Sequence, residues 1–204
     1  MWKSKRSWMH DSVDTIGNRK LNSIIIPGSH DSSTYKISKT QNIPLPTEYE
    51  LLKCDPGLII PKKWARTQMF NIYDQLNFGV RYLDIRVTPA LGSGELLCTH
   101  SFVTIKLSLA FEHIKQFLTE NPNEFIIIET RYDPLYSTHH KCNVRDLIDK
   151  YIAYFGLLVA EPISRSYIPT YNELIATPGR IILFPYWNRS LLNIPWNDSF
   201  DPNV

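Results

Sequence analysis

Hydrophobic positions recur along this chain with two periods. From Val80 to Val87 they alternate, with Leu83, Ile85 and Val87 on one face and Tyr82, Asp84 and Arg86 on the other, which predicts a strand. Phe125 to Arg131 reads the same way: Ile126 and Ile128 share one face, and Phe125, Ile127, Glu129 and Arg131 the opposite one. Arg180 to Phe184, after the turn signal Thr177-Pro178-Gly179, predicts another strand. The run Ile24-Ile25-Ile26, ended by Pro27-Gly28, fits a buried strand that delivers His30 and Asp31 at its end. Between these lie helical spacings. Phe70, Tyr73 and Leu76 predict a helix over 67–78 that stops at Gly79. Phe111, Ile114, Phe117 and Leu118 predict one over 108–120, ended by Asn121-Pro122. Asn143 can cap a third, whose Val144, Leu147, Ile148, Tyr151, Ile152 and Phe155 form an apolar stripe closed by Gly156. Strand–helix alternation of this kind predicts an α/β fold with a parallel sheet and crossover helices. The Pro-rich stretch 37–63 reads as an insertion or lid loop.

Two strands carry charge on the C-terminal half of one face, where a strand covered by helices on both sides is apolar throughout. A barrel accounts for this: apolar residues face the outer helices, and charges face inward near the mouth. Unpaired charges there cost several kcal/mol each, so they pair with one another or face a polar ligand. An internal Asp84–Arg86 pair of purely structural role stays open.

With 204 residues, 43% hydrophobic and 21% charged, the chain suits one soluble domain over 1–204. A net charge of +2 argues against nucleic acid as partner. Cys54, Cys98 and Cys142 are odd in number and form no CxxC pair, which suits a reducing compartment and provides no zinc or disulfide framework. The basic start at 1–8 lacks an apolar signal core, and no window reaches the ~20 apolar residues of a membrane span, so a cytoplasmic or peripheral membrane location is expected.

His30, Asp31, Asp84, Arg86, His100 and Arg131 all fall at or just past predicted strand ends, where α/β folds gather ligand sites. Two histidines with cations, and neither a Gly-rich phosphate loop nor a nucleophilic Ser or Cys motif, suggest phosphodiester chemistry by acid–base catalysis. One imidazole takes a proton from an attacking hydroxyl, the other returns one to the leaving oxygen, and a guanidinium holds the charged phosphorus centre.

These residues sit in stretches that resemble the X domain of phosphatidylinositol-specific phospholipase C, most closely the X-domain-containing proteins of metal-independent type. The stretches are 26–32 (Ile-Pro-Gly-Ser-His-Asp-Ser), 64–68 (Trp-Ala-Arg-Thr-Gln), 73–86, Thr99-His100 and 117–124, with Ser7-Trp8-Met9 upstream, over roughly 7–187. The resemblance implies an incomplete or distorted TIM-type (β/α) barrel. It also implies cleavage of phosphatidylinositol, or its glycosylated forms, to diacylglycerol and inositol 1,2-cyclic phosphate. By motif, His30 is the base, His100 the acid with Asp31 as its carboxylate partner, Arg86 the phosphate contact, Asp84 a supporting acid and Arg131 an inositol contact. Calcium-dependent members place Asn after the first histidine and an acidic residue at the position of Arg86, so this chain resembles members that need no metal or other cofactor.

The resemblance also carries departures. His100-Ser101 replaces the usual His-Gly. The barrel's C-terminal part is expected to be missing, and with it the acid that orients the base histidine; Asp198 and Asp201 are candidate substitutes. A half barrel would leave an open sheet edge through which the chain could self-associate. A weak or inactive inositol-lipid-binding module is the main alternative. A glycerophosphodiester phosphodiesterase would want metal-binding carboxylates that Asp31-Ser32-Ser33 does not supply. His139, His140 and Cys142 read as a solvated turn before a metal site, His113 as a surface or interhelical residue, and Lys62, Lys63, Trp64 and Arg66 either as a membrane-contact edge or as solvated loop.

Overall fold

The computed structural model describes residues 5–38, 65–90, 93–100, 102–132, 144–161, 163 and 167–185. Two short helices, α1 (Trp8–Asp11) and α2 (Val13–Ile16), precede β1 (Gly28–Ser29). Then come α3 (Ile72–Asn77), β2 (Tyr82–Pro89), β3 (Leu96–His100), β4 (Phe102–Lys106), α4 (Leu107–Glu120), β5 (Ile126–Tyr132), α5 (Val144–Phe155), α6 (Tyr171–Ile175) and β6 (Ile181–Pro185). The strands form one sheet in the order β4-β3-β2-β5-β6, and β1 pairs with β2.

The sheet is mixed, which corrects the expectation of parallel strands throughout. β5 pairs in parallel with β2 and β6, but β2–β3 and β3–β4 are antiparallel. The antiparallel pairs arise because β2, β3 and β4 follow one another through short connections, which permit only reversal.

Charge separation along the strands is as the alternation predicts. Leu83, Ile85, Val87, Ile126 and Ile128 are buried in one cluster with Ile114, Phe117, Leu147 and Tyr151 of α4 and α5. On the other face, Phe125 and Ile127 join Met9, Ile16, Leu21, Tyr171 and Leu174, so α1, α2 and α6 close the lower part of that face and leave its upper part to Asp84, Arg86 and Arg131. The stripe of α5 is narrower than predicted, with Ile152 exposed.

Two predicted elements are shorter. The helix expected over 67–78 begins only at Ile72, because the Asn71 side chain accepts the Asp74 N–H at 2.9 Å and fixes the N-terminus there. It stops at Gly79, whose φ of +105° suits glycine. Ile24–Ile26 is not a buried strand: Ile25 is 93% exposed, and only Gly28–Ser29 pair with Tyr82–Leu83. Under the site, the buried Arg81 guanidinium meets Glu124 at 2.7 Å and lies 4.6 Å from the Phe117 ring centroid. Most of the proposed lid loop, the His139–Cys142 group, Asn143, Ser101, Asp198 and Asp201 lie outside the described residues. Among the described residues, no helix is long and apolar enough to cross a membrane.

Candidate active site

One edge of β2 is shared by two strands that approach from opposite directions. β1 runs parallel to it, with Ser29 opposite Leu83; β3 runs antiparallel, with Cys98 opposite Val87. Continuing each register places His30 beside Asp84 and His100 beside Ile85. The two histidines therefore meet head to head over the middle of β2. This corrects one expectation: Asp84 and Arg86 sit at the third and fifth positions of an eight-residue strand, not at its end.

Chain reversal after β1 puts Asp31 at the centre. Its φ is +47°, a left-handed conformation that Asp tolerates better than most residues. The turn is held against β2 by three hydrogen bonds: Ser32 N–H to Asp84 O (2.9 Å), Asp31 N–H to Asp84 Oδ2 (3.2 Å), and Asp84 N–H to Ser32 Oγ (3.0 Å). The buried Asp31 carboxylate then touches three cationic or basic groups. Oδ2 lies 3.1 Å from His30 Nε2 and 3.2 Å from His100 Nε2, and Oδ1 lies 2.9 Å from Arg86 Nε.

His30, with 71% of its side chain exposed, has its other nitrogen on Asp84: Nδ1 to Oδ2 is 3.0 Å. Arg86 Nη2 lies 3.3 Å from His30 Nε2 and 3.5 Å from Asp84 Oδ2. His100 places Nδ1 3.2 Å from the Ala65 carbonyl. The hydrogen bond to Asp84 raises the His30 pKa above its ordinary 6.5, against an opposing effect of burial. Burial raises the Asp31 carboxyl even though Arg86 and His100 oppose it. Asp84 is pushed up by burial too, but its bond to His30 and the charges of Arg86 and Arg131 hold it below the usual carboxylate value.

All six sequence candidates lie on this edge or the adjoining face of β5, where Arg131 stands opposite Arg86 in the register. Sequence reasoning missed two groups. Gln68 Nε2 donates to His30 O at 2.7 Å, and the Ala65 carbonyl holds His100. Neither carries a sequence signal beyond its place in the 64–68 stretch. Glu129, opposite Asp84 and hydrogen-bonded by the Tyr82 hydroxyl, extends the polar face.

His30, Asp31 and Asp84 could each offer one atom to a metal, all within 4.8 Å of one another. Calcium takes about six to eight oxygens, whereas this set has two carboxylates and a nitrogen. The Arg86 guanidinium already lies on both carboxylates. The residues present do not fit a calcium ion.

The PI-PLC X 1 family model matches residues 58–198. A PI-PLC X-box domain-containing protein of Dictyostelium discoideum is 33% identical over 144 residues, 71% of this chain and 19% of that protein. The variant-surface-glycoprotein phospholipase C of Trypanosoma cruzi is 32% identical over 138 residues, 62% of this chain and 36% of that one. In three dimensions the chain is similar to Staphylococcus aureus phosphatidylinositol-specific phospholipase C, with a TM-score of 0.63 at 24% identity over 90% of this chain and 53% of that one, which establishes a shared fold. The chain thus spans about a fifth of the Dictyostelium protein's length and about half that of the staphylococcal enzyme. A mixed α/β sheet, a match over most of the chain and relatives at this identity together establish that the chain belongs to the PI-PLC X domain family.

Proposed function

We propose that the chain cleaves phosphatidylinositol, or its glycosylated forms, by metal-independent acid–base catalysis, on a sheet that is one arc of a distorted TIM-type barrel. The observation that carries this reading is the Asp31 carboxylate, which joins both imidazoles and the Arg86 guanidinium within 3.2 Å.

Hydrogen-bond partners divide the work between the histidines. His30 Nδ1 faces a carboxylate, so it carries the proton, and Nε2 faces an Arg86 donor, which leaves its lone pair as the base. Once protonated, Nε2 has the Asp31 carboxylate 3.1 Å away to accept it. His100, with the Ala65 carbonyl 3.2 Å from Nδ1 and the Asp31 carboxylate 3.2 Å from Nε2, is assigned as the acid. The inositol 2-hydroxyl oxygen attacks phosphorus as His30 takes its proton. The bond from phosphorus to the glycerol oxygen breaks, and His100 protonates that oxygen. Inositol 1,2-cyclic phosphate and diacylglycerol result. Arg86 donates to the phosphorane-like charge, and Arg131 to inositol hydroxyls.

Asp84 takes the place expected of an acid from the chain's C-terminal part, since it already orients His30. The test is incubation of the purified chain with phosphatidylinositol vesicles and detection of the cyclic phosphate by phosphorus NMR. Absence of product from a folded chain overturns the proposal and favours the inactive lipid-binding module.

A further inference from the structure

Gln75 is a buried polar residue that packing alone does not explain. Ile72 and Leu76 of α3 enter the core fully buried, and Gln75 lies beside them at 4% exposure. An apolar side chain of the same length would bring no polar atom that needs a partner there. Both amide hydrogens of Gln75 are used: Nε2 donates to Ser32 O at 2.8 Å and to Phe70 O at 2.7 Å. Its Oε1 is buried and has no hydrogen-bond partner among the described residues. A flipped amide would set that oxygen against both carbonyls, so the donors face them.

Ser32 follows Asp31 in the turn, and Asp31 holds a φ of +47°, which costs a non-glycine residue backbone energy and persists only where its neighbours impose it. β2 imposes it from one side: Asp31 N–H donates to Asp84 Oδ2 (3.2 Å) and Ser32 N–H to Asp84 O (2.9 Å). α3 imposes it from the other, with Gln75 on the Ser32 carbonyl. The second Gln75 hydrogen holds Phe70 O, two residues beyond Gln68, whose own Nε2 donates to His30 O (2.7 Å). We infer that Gln75 is a positioning residue: through Ser32 O and Phe70 O it fixes the turn that sets the Asp31 carboxylate against both imidazoles and Arg86. Its effect on turnover rests on the proposed function; its grip on the turn does not.

The test is Gln75→Met in the full chain, which keeps the side-chain length and removes both donors. Gln75→Glu is the graded variant: burial favours its protonated carboxyl, which keeps one O–H donor. Two readouts are taken, the titration of His30 by NMR of its ring Cε1–H and the turnover of phosphatidylinositol. The hydrogen bond to Asp84, and after it the charge of Asp31, raise the His30 pKa above 6.5 against the effect of burial. With the turn loosened, the titration should move down toward 6.5 in Gln75→Met and part of the way in Gln75→Glu. In Gln75→Met kcat should fall about tenfold or more, with KM within about twofold, because the catalytic groups are misplaced while substrate binding is kept. Tyr151→Phe is the control. It removes a buried hydrogen bond to Thr130 Oγ1 (3.0 Å) on the opposite face of the sheet, and should lower the thermal midpoint without moving the titration or kcat. An unmoved titration and kcat in a folded Gln75→Met overturns the inference, as does an equal shift in Tyr151→Phe. If Gln75→Met does not fold, a wild-type titration in Gln75→Glu overturns it equally. A shifted titration in a chain that cleaves no lipid would leave the grip of Gln75 on the turn standing and overturn the proposed function; cleavage with unmoved titration and kcat in the variants would do the reverse.

Discussion

Arg81→Met should destabilise the chain severely, by an amount the structure allows to be worked out. All five guanidinium donors are used: Nε and Nη2 on Glu124 Oε2 (2.8 and 2.7 Å), Nη1 on the carbonyls of Leu76 and Val80 (2.7 Å each), and Nη2 on that of Arg6. Both charged side chains are buried, at 0% and 1% exposure. Removing one partner of such a pair leaves an uncompensated charge and costs about 3–5 kcal/mol. The Leu76 carbonyl keeps a second donor in Gly79 N–H, so the further loss falls on the other two carbonyls, at about 1 kcal/mol each if they find no water. Against a total stability of about 5–15 kcal/mol, a third or more is lost. At a urea slope of about 2 kcal/mol/M, the midpoint falls by about 2.5 M or more. The consequence reaches the site, because the Arg81 backbone joins the Pro27 carbonyl to the Ile127 N–H, directly below the stretch that carries Asp84 and Arg86. The assay is equilibrium urea unfolding of wild type, Arg81→Met, Glu124→Met and the double variant. The double variant should recover most of the loss, since it buries no unpaired charge. A single-variant loss under about 1 kcal/mol, or a double variant that loses the sum of the two singles, would refute the reasoning.

Other consequences can be checked independently. As the proposed base His30 would act only when neutral, and its pKa is raised chiefly by Asp84, so kcat/KM should climb with pH through a value above 6.5. In Asp84→Asn that limb should move to lower pH; an unmoved limb would show that His30 is not the titrating base. The same raised pKa means that His30 adds stability fully present below its unfolded value and lost as pH rises through the folded one; the thermal midpoint should lose this increment in His30→Ala at low pH only. Activity should survive excess EDTA, and Arg86→Asp should lose most of it without calcium; chelation that abolishes wild-type activity, with recovery on adding Ca²⁺, would place the chain among metal-dependent enzymes.

What could be read from the sequence follows from which interactions are local. The faces of β2 and β5 were legible because Leu83, Ile85, Ile126 and Ile128 alternate strictly with polar or differently buried positions. The mixed sheet was not, although Gly92-Ser93-Gly94 between two apolar runs is a hairpin signal that strand–helix alternation overrode. Helix α6 was passed over despite its capping box, with the Thr170 side chain on Glu173 N–H and the Glu173 side chain on Thr170 N–H. Ile24–Ile26 misled because apolar residues before a proline also serve as an extended lead-in with one side open. Of the site, the residue types and the contact of Asp31 with His100 were legible through the resemblance, and the two lie 3.2 Å apart, but the contact of His30 with Asp84 was not. That Asp84 lies against His30 Nδ1 depends on the register of β1 against β2, and the grip of Ala65 and Gln68 on the histidines depends on a long-range chain return.

The most direct test of the central claim is the turnover of His30→Ala and His100→Ala on phosphatidylinositol and on an inositol phosphodiester with a leaving group of low pKa. Each variant should lose about 10²-fold or more on the natural lipid. An activated leaving group needs no proton, so His100→Ala should recover most of its loss on that substrate and His30→Ala should not. Equal recovery by both, or full activity of either on phosphatidylinositol, would contradict the assignment of His30 as base and His100 as acid.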